Sequence, residues 1–176
     1  MSIRLFNARA AAQELAHADL SPERQAQYLL AGLLVYLVAS YSGLLIATAP
    51  LWSMASLLEA AALVLVNVLG ITQVLEAAGG PRSRHFLQDF TCLYVPVSVS
   101  SLLLVWSAYW VIRLSFIEGL LALSNSGSRF ALNLAAIGTD FLGLLGLLCS
   151  VGTQVLVYYR LVHLQRLVES LRRARP

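Results

Sequence analysis

FALNLAAIGTDFLGLLGLLCSVGTQVLVYYRLVHLQRLVESLRRARP, Phe130–Pro176, decides how the rest of the chain is read. Phe130–Tyr159 carries one charge, Asp140, and the segment after it is dense in arginine: Arg160, Arg166, Arg172, Arg173 and Arg175. About 20 apolar residues cross the ~30 Å hydrocarbon layer as a helix. An apolar run closed by an arginine cluster has the form of a membrane span whose end stays on the cytoplasmic side.

Toward the N-terminus, the same apolar pattern recurs three times. Residues 28–49 hold no charge, and Ser21-Pro22-Glu23 before them reads as a helix start: serine as N-cap, proline at the first helical position, glutamate at the positive end of the dipole. Ala47-Thr48-Ala49 resembles a signal-peptide cleavage site, but the leader would be long and further spans come after it, so the run is expected to stay as a span. Residues 51–75 form the second run. Gly79-Gly80-Pro81 then breaks the chain. Residues 90–112 form the third, with Pro96 expected to kink it or end a preceding turn. Trp106, Tyr109 and Trp110 lie at its far end, where aromatic belts are found. Residues 113–129 are read either as a short interfacial helix and turn or as a continuation of the third span.

Composition agrees with lipid as the solvent. The chain of 176 residues is 59% hydrophobic and 12% charged, where a soluble domain carries about 25% charged residues. All twelve basic residues are arginine, which points to a GC-rich bacterial genome. Ten of them, Arg4, Arg9, Arg24, Arg82, Arg84 and the five of the tail, fall on one side of a four-span arrangement; Arg113 and Arg129 fall on the other. That asymmetry predicts both termini in the cytoplasm. The expected fold is all-α, a polytopic four-transmembrane-helix bundle in the bacterial inner membrane. Residues 1–20 form an amphipathic cytoplasmic segment, 21–159 the membrane domain, and 160–176 a basic tail helix. Polar segments this short build no basic face for nucleic acid.

Two acids stand inside the runs, Glu59 and Asp140, and each costs at least ~2.5–3.5 kcal/mol to insert. Counted from the starts of the second and fourth runs, both lie ~12–15 Å deep. Ser40 and Ser42 of the first run and Ser100 and Ser101 of the third reach a similar level, so a polar layer is expected across the bundle. It serves helix packing through hydrogen bonds, or it binds a proton or cation between two carboxylates. His17, His85 and His163 are scattered without metal-ligand spacing, and Cys92 and Cys149 are expected to be buried and unpaired. No catalytic motif is present, and no cofactor is implied.

Leu161, Leu164, Val168 and Leu171 recur at helical spacing in the tail while Arg160, Arg166, Arg172 and Arg173 take other positions. This amphipathic helix would lie on anionic headgroups, pack on the N-terminal segment, or meet a partner helix. The expected function is a non-catalytic integral membrane subunit that assembles, anchors or regulates a larger complex, with the bilayer and other membrane subunits or a second copy as partners. The alternative is a small proton- or cation-coupled transporter or channel using Glu59 and Asp140. A haem-bearing electron carrier ranks third.

Overall fold

A computed structural model describes residues 7–17, 21, 23–34, 54–80, 83, 85–124 and 129–174. Every element among them is an α-helix: α1 Ala8–His17, α2 over 23–34, α3 Met54–Ala77, α4 Phe86–Ser124 and α5 Arg129–Arg173. Among the described residues three segments are long and apolar enough to cross a membrane: Ser56–Ala77, Phe86–Gly119 and Phe141–Arg173. The expected first span is described only at its start, where α2 is helical, and its remaining residues, 35–49, lie outside the described set.

The helices differ from the expected runs mainly in length. α4 has 39 residues and α5 has 45, which is ~58 and ~68 Å at 1.5 Å per residue, against a hydrocarbon layer of ~30 Å. Between the two readings of residues 113–129, the helix continues as far as Ser124. α5 passes unbroken through 159/160, so the basic tail continues the helix of the fourth run. Proline is tolerated in a membrane helix when neighbours surround it, and α4 runs on through a fully buried Pro96.

α3 ends where expected. Ala78 donates its N–H to the Val74 carbonyl, then Gly79 and Gly80 take φ values of 98° and 76°. Two successive left-handed residues are open to glycine at little steric cost, and they let the chain reverse into α4. Contacts down the α4–α5 pair show it to be antiparallel: Asp89 meets Gln165 and Arg172, Ser100 and Ser101 meet Arg160, and Phe116 meets Phe141.

The core gathers at one end, where α1 lies against α4 and α5. Asn7 caps α1, its Oδ1 accepting the Ala10 N–H at 3.0 Å, as an N-cap asparagine does. Ala8, Ala11, Ala12, Leu15 and Ala16 are all buried, at the i, i+3, i+4, i+7, i+8 spacing of one helix face. Four of the five are alanine, so α1 can approach α5 closely. Of the fates open to the tail, packing on the N-terminal segment is the one the fold shows. α2 adds Tyr28 to the same core, while Leu29, Leu30, Leu33 and Leu34 are exposed.

Candidate functional site at the α1 end

Three polar ties hold this end together. In the first, Asp89 at the start of α4 is fully buried and faces Arg172 at the end of α5. The guanidinium grips it with both nitrogens, Nη1 to Oδ2 at 2.6 Å and Nη2 to Oδ1 at 2.8 Å. Gln165, two turns before Arg172 on α5, donates Nε2 to Oδ2 at 3.2 Å. Arg172 Nη2 also reaches the Leu15 carbonyl of α1 at 3.5 Å. One guanidinium, that of Arg172 on α5, thus reaches both α4 and α1. A bidentate guanidinium–carboxylate pair with added donors is the arrangement that offsets the cost of burying an ion pair.

The second tie is Arg160, whose Nη1 donates to Ser100 Oγ at 2.8 Å and Ser101 Oγ at 2.9 Å. The third joins α3 to α5. Tyr158 donates its hydroxyl to Asn67 Oδ1 at 2.8 Å, and Asn67 Nδ2 donates to the Leu63 carbonyl one turn back at 2.7 Å. The tyrosine ring lies flat against Gly70, where any Cβ would overlap the ring. Small residues beside a polar contact let helix backbones approach in lipid, and Gly70 is that residue here.

Of the residues expected to form one polar layer, the structure describes the side chains of Ser100, Ser101 and Glu59. Ser100 and Ser101 meet an arginine of α5. Ser40 and Ser42 lie outside the described residues, as does the side chain of Asp140. Glu59 is half-buried on α3, and no hydrogen bond or ion pair reaches it from the described residues. α3 and α5 run parallel, because α3 leads through a short connector into α4, which is antiparallel to α5. Tyr158 and Asn67 set their register. Eight residues back from that pair, Glu59 comes level with Ser150, ten residues from Asp140, or ~15 Å along the axis.

The tail arginines also part company. Arg172 turns into the core and Arg160 into the bundle, whereas Arg166 and Arg173 are exposed; Arg175 lies outside the described residues. Asp89 and Gln165 were missed by sequence reasoning. Asp89 sits one residue before an apolar run and reads as its polar boundary, and nothing local pairs it with a residue 83 positions away. Cys92 is buried and Cys149 half-buried, both as free thiols. Among the described residues no cluster of histidine, cysteine or acidic side chains is placed to hold a metal ion.

Beside these ties opens a cleft of about 450 Å³ between the first turn of α1 and α5. Asn7 and Arg9 line one wall, Tyr159, Arg160 and His163 the other, over a floor of Ala8 and Leu164. No acidic residue lines it. Among the described residues Arg24 pairs with Glu14, and Arg172 with Asp89 and Glu169, but neither Arg9 nor Arg160 has a carboxylate partner. No family model, curated protein or solved structure matches the chain.

Proposed function

We propose that this chain is a non-catalytic integral membrane subunit that assembles, anchors or regulates a larger complex in a bacterial inner membrane. In this reading it spans the bilayer four times, with both termini and the packed α1 end in the cytoplasm. The single observation that carries the reading is what the described polar contacts between helices do. Asp89–Arg172–Gln165, Arg160–Ser100–Ser101 and Tyr158–Asn67 each tie one helix to another. Such contacts are how helices are held in register in lipid, where apolar burial supplies no drive for association. Meanwhile α3 leaves Leu57, Leu58, Val64, Leu65, Val68, Leu69 and Ile71 exposed. That is an ample apolar surface for lipid and a partner subunit to share.

The test is affinity purification of the full chain after mild detergent extraction. A partner at fixed stoichiometry is the expected result; recovery of the chain alone, from several mild detergents and from cross-linked membranes, would overturn the reading. The same purified protein in proteoliposomes separates it from the transporter alternative. A proton or cation flux abolished by Glu59→Gln or Asp140→Asn, with normal expression, would favour the alternative.

A further inference from the structure

We infer that the cleft between α1 and α5 is a binding site for the phosphate headgroup of an anionic phospholipid. The first ground is charge. Arg9 and Arg160 share one opening without a neutralising carboxylate, although the other two described arginines that contact the core at this end are each paired with one. Arg160 is held in place by Ser100 and Ser101 through one nitrogen, so its charge is positioned, not merely tethered. Asn7, Tyr159 and His163 add hydrogen-bonding groups around the same space. The first turn of α1 lies on the wall, and a helix N-terminus favours an anion.

The second ground separates a lipid from a soluble phosphate. Tyr159 lines the cleft and is 73% exposed. From there toward the start of α5, Val155, Leu148, Leu144 and Phe141 are exposed at spacings of four, seven, four and three residues, which puts them on one helix face. An uninterrupted apolar strip therefore leads away from a basic cleft. From Tyr159 to Leu148 is ~16 Å, about half the ~30 Å hydrocarbon thickness and so the depth of one leaflet. A headgroup in the cleft would lay its acyl chains on that strip. This inference goes beyond the subunit reading and stands without it, provided the chain lies in a bilayer.

The experiment is native mass spectrometry of the full-length protein in a non-ionic detergent, titrated with phosphatidylglycerol or with phosphatidylcholine of the same acyl chains. Phosphatidylglycerol is expected to bind at least tenfold more tightly. Arg9→Gln should weaken it about fivefold, the effect of one arginine near a charged headgroup, and Arg160→Gln by at least as much. Arg166→Gln, which removes an exposed arginine outside the cleft, should change nothing. Equal affinity for the two lipids would overturn the inference, as would an equal loss from Arg9→Gln and Arg166→Gln. Complete displacement of the lipid by excess inorganic phosphate would reassign the cleft to a soluble phosphate and overturn the lipid. Should Arg160→Gln fail to fold for want of its serine contacts, Arg9→Gln carries the test, since among the described residues no ion pair depends on the Arg9 side chain.

Discussion

The two ends of this molecule solve the problem of packing in different ways. At the α1 end, Leu93, Val97, Val157, Leu161 and Val168 are almost wholly buried, and Asp89, Gln165 and Arg172 interlock beside them. Toward the far end of α4 and along the first part of α5, Leu103, Leu104, Val111, Leu114, Leu121, Phe141, Leu144 and Leu148 are exposed. Among the described residues the contacts there are Phe116 with Phe141, Tyr109 beside Gly146, and Arg113 over the Trp110 ring at 5.2 Å. The residue types are equally apolar at both ends. What differs, among the described residues, is that polar side chains of one helix meet those of another at the α1 end, contacts that hold helices together in lipid.

The sharpest way to break this contrast is to remove the buried carboxylate. Asp89→Ala leaves Arg172 without its main partner, a change that costs about 3–5 kcal/mol when a buried pair loses one member. Thermal unfolding in detergent should show a large fall in midpoint, and Asp89→Leu combined with Arg172→Met should recover much of it, since apolar replacements of a buried pair are often neutral. If Asp89→Ala proved harmless, the distinction between the two ends would lose its main support.

Next in size is Gly70→Val, which forces a branched side chain into the Tyr158 ring and should cost about 1–3 kcal/mol as overpacking does. Asn67 and Tyr158 would be driven apart, so a cysteine pair engineered across α3 and α5 should cross-link less efficiently. The smallest effect belongs to the other end. Leu148→Ala, on an exposed stretch of α5, should stay within about 0.5 kcal/mol. A larger loss, seen only in native membranes and not in detergent, would show that this face is covered there, by bound lipid or by a protein partner.

Much of the helical plan was legible in the sequence. The apolar runs located α3, α4 and α5, and the Gly79-Gly80 pair located the turn between two of them. The ends of the long helices were not legible, because nothing in a run such as Phe130–Tyr159 marks where lipid gives way to water. The depth assigned to Asp140 rests on that same unmarked boundary. The Asp89–Arg172 pair was invisible for another reason. A charge at the margin of an apolar run is indistinguishable, by pattern alone, from one that dissolves in the interfacial water. The stripe through Leu161, Leu164 and Val168 was read correctly as apolar, yet Gln165 and Arg172 share its inward side.

The length of α5 has a mechanical consequence. A single α-helix of 45 residues with no break in its ladder of hydrogen bonds behaves as a stiff strut, and a lean of about ten degrees would sweep one tip sideways by ~12 Å relative to the other. Clamped near one extremity by α1 and by Asp89, with Tyr158 as its fulcrum against Gly70, this strut converts sideways pressure on its loosely held arm into torque on the clamp.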